Sequence, residues 1–263
     1  MTYSTEFPDF HDRVVLITGG TSGIGLATAR LLLQRGAHVV VTGRDEARLE
    51  RAAQQLDASS SDGKRLLTVR ADVADLGDLD RLSAVITERH GRLDGVFANA
   101  GVGVFQHAAE VTEADFDRSV DVNFKGVFFT VQKMLPLLEA AASGSVVLNA
   151  SWTLHRGLAT LPVYAATKAA VHNLARTLAS DLAPRGIRVN SISPGYVVTE
   201  MFLEFTPDPV EHEAIRQQVP LKRLGQGQDI AETAAFLLST RSSYITAQDI
   251  AVDGGLVNAT PAS

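Results

Sequence analysis

Short runs of aliphatic residues alternate with longer amphipathic stretches along the whole chain. The runs are nearly continuous in Val, Ile and Leu, which is typical of strands that helices cover on both faces of a parallel sheet. They predict seven strands, at Val14–Thr18, His38–Thr42, Leu66–Arg70, Gly95–Ala98, Ser145–Asn149, Arg188–Ile192 and Asp249–Val252. Apolar positions at helical spacing predict helices at Ile24–Arg35, Glu46–Leu56, Leu76–His90, Glu113–Leu138, Val163–Leu182, Val210–Gln218 and Asp229–Leu238. This alternation predicts an α/β fold with a doubly wound parallel sheet and right-handed crossovers.

The length and pattern of the sequence predict a single domain over residues 1–263, with residues 1–11 as an N-terminal extension. Residues 196–220 break the alternation, because Pro207, Pro209 and Pro220 surround one short helical pattern. An insertion at the carboxyl end of a strand is the usual place for a substrate lid, and an ordinary long loop is the alternative.

Composition excludes several classes of protein. The formal net charge of −6 and the pI near 5.6 argue against a nucleic-acid partner, which needs a basic surface. No stretch approaches 18 consecutive apolar residues and the start is polar, so neither a membrane span nor a secretory signal is expected. The chain has no cysteine and no histidine cluster at ligand spacing, so no metal site is expected. Together these features favour a cytoplasmic protein.

A glycine-rich turn joins the first predicted strand to the first helix. Gly19, Gly23 and Gly25 form the pattern TGxxxGxG. Glycines allow a tight turn and a close approach of the backbone to a pyrophosphate at the helix N-terminus, where free amides and the helix dipole stabilise an anion. Because the motif follows a strand and opens a helix, it predicts a dinucleotide site rather than a merely flexible turn.

The tip of the second strand indicates which dinucleotide binds. A carboxylate there accepts hydrogen bonds from the adenosine ribose, whereas an arginine favours a 2′-phosphate. Gly43 occupies the tip and Arg44 follows, while Asp45 opens a helix as an ordinary N-cap. We interpret Arg44 as a phosphate clamp, with a solvated surface charge as the alternative. NADP(H) is therefore the preferred cofactor and NAD(H) remains possible.

Four polar residues predict the catalytic chemistry. Tyr164 and Lys168 are four residues apart in a strongly helical stretch, so they share one face. Ser151 follows the fifth predicted strand, and Asn123 lies in a helix after the fourth. Each of them alone fits an ordinary turn, helix or surface residue. Their joint placement favours a shared site.

Taken together, these motifs make the chain resemble the short-chain dehydrogenase/reductase family, in its compact branch of about 250 residues. The resemblance runs from Asp12 to Gly255 and implies a Rossmann-type sheet. The motifs that carry it, in the family's order, are TGGTSGIG, Asp72-Val73, Asn99-Ala100-Gly101, Asn123, Ser151, Tyr164, Lys168 and Ser193-Pro194-Gly195.

The resemblance implies a role for each catalytic residue in interconverting an alcohol and a ketone. Tyr164 is the general acid in reduction and the general base in oxidation. Lys168 bonds the nicotinamide ribose and lowers the pKa of Tyr164, which is ordinarily near 10. Ser151 hydrogen-bonds the substrate carbonyl, and Asn123 anchors a water that links Lys168 to solvent.

The resemblance also assigns cofactor contacts along the cleft. The pyrophosphate turn has Thr21, Ser22 and Ile24 besides the glycines; Asp72 and Val73 meet the adenine; and Asn99, Ala100 and Gly101 meet the adenosine-side ribose. The nicotinamide is held by Pro194, Gly195, Val197 and Thr199, with Thr199 bonding the carboxamide.

Three segments that flank these motifs are rich in apolar and aromatic residues. The residues expected to contact substrate are Val104, Trp152, Leu158, Tyr196 and Phe202. They predict a bulky apolar or aromatic ketone or alcohol. For Trp152, a packing anchor is an equal alternative.

The resemblance further implies assembly into a homotetramer, or a homodimer, through the helices 122–138 and 163–182. The alternatives within enzymes are an NAD-dependent alcohol dehydrogenase and an isomerase or dehydratase that uses the same tyrosine. A nucleotide-sensing relative without turnover is the alternative outside enzymes; such relatives typically lose the tyrosine or the lysine.

Overall fold

The computed structural model describes residues 10–57 and 64–260. Within them, seven parallel strands form one sheet in the order β3-β2-β1-β4-β5-β6-β7. The strands are β1 Val14–Thr18, β2 His38–Gly43, β3 Leu66–Arg70, β4 Gly95–Ala98, β5 Ser145–Asn149, β6 Arg188–Pro194 and β7 Asp249–Val252. The predicted doubly wound α/β fold is confirmed.

Nine α-helices lie within the same described residues. They are α1 Gly23–Gln34, α2 Glu46–Asp57, α3 Leu76–His90, α4 Glu113–Val120, α5 Gly126–Glu139, α6 Pro162–Leu182, α7 Glu200–Phe205, α8 Pro209–Gln218 and α9 Gly227–Leu238. None of these described helices is both long and apolar enough to cross a membrane.

The core consists of two apolar layers, one on each face of the sheet. Successive side chains of β1 alternate between them: Val14 and Leu16 pack with α3, α5 and α6, whereas Val15 and Ile17 pack with α1 and α9. This arrangement explains why the strands read as continuous aliphatic runs, since a strand with two covered faces has no solvent side.

Three expectations from the pattern need correction. The helix predicted over Glu113–Leu138 is interrupted by a π-helical turn at Asp121–Lys125, which hydrophobic spacing does not reveal. Residues 196–220 contain two helices, α7 and α8, rather than one. Phe10, assigned to the N-terminal extension, is fully buried in the core beneath the β1 face. Residues 1–9 of that extension lie outside the described residues.

The strand order reverses between β1 and β4, because β1 pairs with β2 on one side and β4 on the other. Loops that follow the two strands leave in opposite directions and open a crevice at the carboxyl edge of the sheet. The segment after β6, with α7 and α8, extends over the same edge. The fold therefore brings the predicted motifs to one place.

Candidate active site

A cleft of about 650 Å³ lies along the carboxyl edge of the sheet, over the point where the strand order reverses. Most residues expected at the site line it. They are Gly19, Thr21, Ser22, Gly23, Ile24, Arg44, Asp72, Val73, Asn99, Ala100, Gly101, Ser151, Trp152, Leu158, Tyr164, Lys168, Pro194, Gly195, Tyr196, Val197, Thr199 and Phe202. Gly25, Val104 and Asn123 are the members of the predicted set that do not.

The glycine-rich turn is built by close backbone packing. Gly19 has a φ of +65°, and a Cβ at this position would lie 2.8 Å from Cα of Ala100. A Cβ on Gly25 would lie 2.3 Å from the carbonyl oxygen of Gly19. Gly25 therefore supports the turn from beneath instead of lining the cleft, which is why both positions require glycine.

The turn leads into the N-terminus of α1, which faces the cleft. Ser22 stands at the N-cap with extended backbone, and its hydroxyl does not cap the first-turn amides within the described residues. The first turn of α1 also contains no acidic side chain. Amides at a helix start that no side chain caps, preceded by a glycine-rich turn, suit the pyrophosphate of a nicotinamide dinucleotide. The residues present therefore fit such a cofactor.

Tyr164 and Lys168 lie one turn apart on α6 and both face the cleft. The ammonium Nζ of Lys168 lies 5.6 Å from the centre of the Tyr164 ring and donates to the backbone carbonyl of Asn149 over 2.7 Å. Lys168 is only 3% exposed. The predicted pairing on one helical face is thus present.

Burial determines the ionisation of both groups. It raises the pKa of Tyr164 above its ordinary value, and a hydrogen bond with Ser151 opposes the rise. It lowers the pKa of Lys168 to about 8. Desolvation is the larger of the two effects on Tyr164, and the lowering of its pKa by Lys168 stays a prediction from the family resemblance.

Ser151 is held by Thr153, a residue that the sequence patterns do not single out. The backbone amide and the hydroxyl of Thr153 both reach the Ser151 oxygen, at 3.3 and 3.0 Å. With its oxygen accepting these bonds, the Ser151 hydroxyl hydrogen is available for another acceptor. Ser151 can therefore donate toward Tyr164 or toward a carbonyl in the cleft.

Asn123 is fully buried in the π-helical turn and acts on the cleft through its neighbours. Its side-chain oxygen accepts from the Val102 amide at 2.8 Å, and its amide nitrogen donates to the Val102 carbonyl at 2.9 Å. A third, longer bond of 3.3 Å reaches the Thr167 hydroxyl on α6. Asn123 thus ties the loop after β4 to the catalytic helix.

Asn99 and Asn149 connect the ends of three strands. The Asn99 amide donates to the carbonyls of Thr18 and Gly19, both at 3.1 Å, and its oxygen accepts from the Asn149 amide at 2.9 Å. Because Asn149 also offers its backbone carbonyl to Lys168, this network links the glycine turn to the catalytic lysine. Asn149 is a second residue that the motifs missed.

The adenosine end of the cleft carries two arginines. Arg44 is exposed and lines the cleft. Asp45 caps α2, since its carboxylate accepts from the Arg48 amide at 2.9 Å, and this prediction is confirmed. Arg48, in the first turn of α2, lines the cleft as well and was not predicted. Arg44 precedes that helix, so helical spacing does not relate the two residues.

The opposite end of the cleft is aromatic. The Phe105 and Phe205 rings stack with centres 4.1 Å apart, and Phe105 lies 6.3 Å from the Tyr164 ring. Trp152 and Tyr196 are 4.8 Å apart on the other wall. Val104 is buried away from the cleft, and its neighbour Phe105 lies there instead. The alternation of side chains along an extended segment explains the exchange.

Trp152 fits both of the roles considered for it. It is 4% exposed and packs with Val219 and Leu256 in a small apolar cluster beneath the substrate end. The same side chain lines the cleft next to Ser151. Trp152 therefore packs in this apolar cluster and also forms part of the cleft wall.

The chain is similar to known proteins in both sequence and fold. A family model described as enoyl-(acyl carrier protein) reductase matches residues 19–257 of this chain. The chain belongs to the short-chain dehydrogenase/reductase family. It is accordingly an NAD(P)-dependent oxidoreductase that acts on CH–OH groups or the corresponding ketones.

Individual short-chain dehydrogenases/reductases match over nearly the whole chain. Oxidoreductase asL5 of Sarocladium schorii is 39% identical over 244 residues, covering 93% of this chain and 95% of that protein. Levodione reductase of Leifsonia aquatica is 39% identical over 254 residues, covering 94% of each. A crystal structure of levodione reductase matches with a TM-score of 0.90 and 38% identity, over 95% of this chain and 99% of that one.

Proposed function

We propose that this protein is an NADPH-dependent ketone reductase for bulky, apolar ketones, with Tyr164 as the general acid. The observation that carries the proposal is the juxtaposition of Tyr164 and Ser151 with an aromatic wall of Phe105 and Phe205 at one end of the cleft. A ketone whose apolar part packs on that wall brings its oxygen within reach of both hydroxyl groups.

Each catalytic residue has one task in this proposal. Ser151 donates a hydrogen bond to the ketone oxygen and fixes its direction. Tyr164 gives its phenolic proton to that oxygen as negative charge develops there. A bound nicotinamide nucleotide supplies the hydride. In the reverse direction, from alcohol to ketone, Tyr164 accepts the proton instead.

Lys168 and Asn123 support the proton transfer. When Tyr164 loses its proton, the Lys168 ammonium nearby stabilises the phenolate. Asn123 holds the Val102 backbone and the Thr167 hydroxyl, so it keeps the loop after β4 against α6. The water-linked path from Lys168 to solvent stays a prediction from the family resemblance.

The substrate class follows from the wall of the cleft. Trp152, Tyr196 and Phe202 line the same cleft as the catalytic residues, with the Tyr196 ring centre 4.8 Å from that of Trp152 and 6.3 Å from that of Phe202, and Leu158 lines it too. The exposed residues Arg118 and Glu204 also line the cleft. Surfaces of this kind favour an apolar ring or chain with few polar groups.

The test is a panel of ketones and alcohols of increasing size, followed by the absorbance of the reduced cofactor with NADPH and with NADH. We expect kcat/KM to rise with the apolar bulk of the ketone and to be higher with NADPH than with NADH. A clear NADH preference would overturn the role given to Arg44 and favour an NAD-dependent alcohol dehydrogenase. Product formed without net NADPH consumption would favour an isomerase or a dehydratase.

We further expect a homotetramer, or a homodimer, formed through α5 and α6. This expectation comes from the family resemblance, since a single exposed side chain such as Phe116, 50% exposed on α4, is ordinary in a monomer. Size-exclusion chromatography with light scattering gives the mass directly. The cytoplasmic location stays a prediction from the composition, the polar start and the lack of a long apolar stretch together.

A further inference from the structure

Arg48 occupies an unusual position at the adenosine end of the cleft. It lies in the first turn of α2, four residues after Arg44, and its guanidinium reaches across to the glycine-rich turn. One terminal nitrogen donates to the Ser22 hydroxyl over 3.3 Å. The same nitrogen forms an ion pair with Glu200, the first residue of α7. Three separate elements therefore meet at this side chain.

The location places Arg48 beside the predicted path of the dinucleotide. Ser22 is the N-cap of α1, where the pyrophosphate amides begin, and Arg44 directly follows the tip of β2. Arg44 and Arg48 thus present two guanidinium groups at one end of the cleft. A phosphate monoester has three oxygens, and two arginines with one hydroxyl match such a group in number and charge.

We infer that Arg48 is a second ligand for the 2′-phosphate of the adenosine ribose and that Glu200 competes with this phosphate for it. The inference rests on the proposed use of NADP(H). In the free protein, Arg48 is paired with Glu200, and both side chains are partly exposed, at 41% and 59%. An exposed pair of this kind is weak and exchanges readily. A dianionic phosphate offers a stronger partner than one carboxylate.

The competition makes a prediction that an ordinary surface ion pair does not. Removing the Glu200 charge leaves Arg48 free for phosphate, so affinity for a 2′-phosphate increases. If Glu200 acts through Arg48, the gain disappears once Arg48 is absent. If Glu200 only repels the phosphate through space, the gain persists. A double-mutant cycle separates the two.

The experiment is calorimetric titration with adenosine 2′,5′-bisphosphate and with 5′-AMP, neither of which contains nicotinamide. The ratio of their dissociation constants, 5′-AMP over bisphosphate, measures recognition of the 2′-phosphate alone. The proteins are wild type, Arg44→Met, Arg48→Met, Glu200→Gln and the double variant of Arg48→Met with Glu200→Gln. Arg51→Met is the matched control, because Arg51 is exposed on the same helix.

We expect the ratio to fall about tenfold in Arg48→Met, which corresponds to one lost charge-assisted hydrogen bond. It should rise about threefold in Glu200→Gln, the range of an exposed ion pair, and stay unchanged in Arg51→Met. In the double variant it should equal that of Arg48→Met. The rise in Glu200→Gln is a gain of binding, so it does not arise from partial unfolding.

Two results would overturn the inference: an unchanged ratio in Arg48→Met, which includes an equal loss of affinity for both ligands, or a Glu200→Gln gain that persists in the double variant. Failure of the proposed cofactor preference has a different signature. In that case the wild-type ratio is one or less, whether or not Arg48→Met lowers it further. A ratio above one that only Arg44→Met abolishes would assign the phosphate to Arg44 alone.

Discussion

Replacing Lys168 with methionine should abolish its catalytic support and, at neutral pH, stabilise the fold. The ammonium is 3% exposed, and burial lowers its pKa from 10.5 to about 8. Folding with the charged group therefore costs roughly 3 kcal/mol more than folding with the neutral amine. Methionine has a similar volume and no charge. It loses the bond to the Asn149 carbonyl, which contributes about 1 kcal/mol, so the net gain at pH 7 is about 2 kcal/mol.

The stability difference between wild type and Lys168→Met should depend on pH, because the buried amine loses its charge as pH rises. Between the folded pKa of about 8 and the unfolded value of 10.5, the unfolded wild-type chain binds more protons than the folded one. Wild-type stability therefore rises with pH across this window, by about 2 kcal/mol between pH 7 and pH 9.5. The Lys168→Met variant lacks the rise, so its advantage should vanish near pH 9.5. Stopping there avoids Tyr164, whose raised pKa destabilises the fold at still higher pH.

The assay is urea unfolding of the free protein at pH 7 and pH 9.5, for wild type and Lys168→Met. Lys125→Met serves as the control, because Lys125 is 40% exposed and pairs with Asp121 one turn away. The control should shift stability by less than about 0.5 kcal/mol at either pH. A Lys168→Met variant that is less stable at pH 7, or whose difference from wild type is the same at both pH values, would refute the reasoning.

Three further predictions concern activity. Ser151→Ala should lower kcat by about 100- to 1000-fold and leave the cofactor dissociation constant unchanged, because it removes a donor to the reacting oxygen; parallel kinetics and titration check both. Phe205→Ala should raise KM about tenfold for an aryl ketone and leave that of a small aliphatic ketone unchanged, since it removes the ring stacked on Phe105; equal effects on both ketones would contradict the proposed wall. The kcat/KM for NADPH should fall as pH rises above about 8, where Lys168 loses its charge, and a profile flat to pH 10 would contradict the assignment.

The fold was predictable because each strand and helix carries its own signal. The run at Val14–Thr18 is continuous because one set of side chains packs beneath α3, α5 and α6 and the other beneath α1 and α9. The π-helical turn at Asp121–Lys125 was not predictable in this way. The turn contains Asn123, which bonds the Val102 backbone, and hydrophobic spacing does not encode such a contact between segments.

The catalytic trio was predictable for a different reason. Tyr164 and Lys168 share a helical face, and Ser151 follows a strand that ends at the same edge of the sheet. Arg48 and Thr153 were missed because their roles come from side-chain directions set by tertiary packing. The raised pKa of Tyr164 in the free protein was not predictable from spacing either, because the balance between burial and the hydrogen bond with Ser151 depends on tertiary packing.

The central claim is that Tyr164 transfers the proton, while the other residues of the cleft bind and orient the cofactor and the ketone. The most direct measurement is Tyr164→Phe, which removes one hydroxyl and keeps the ring beside Phe105. Turnover of a bulky ketone with NADPH is compared with NADPH binding by titration on the same preparation. We predict that turnover disappears, while the dissociation constant for NADPH stays within about twofold of the wild-type value. Turnover at the wild-type rate would contradict it.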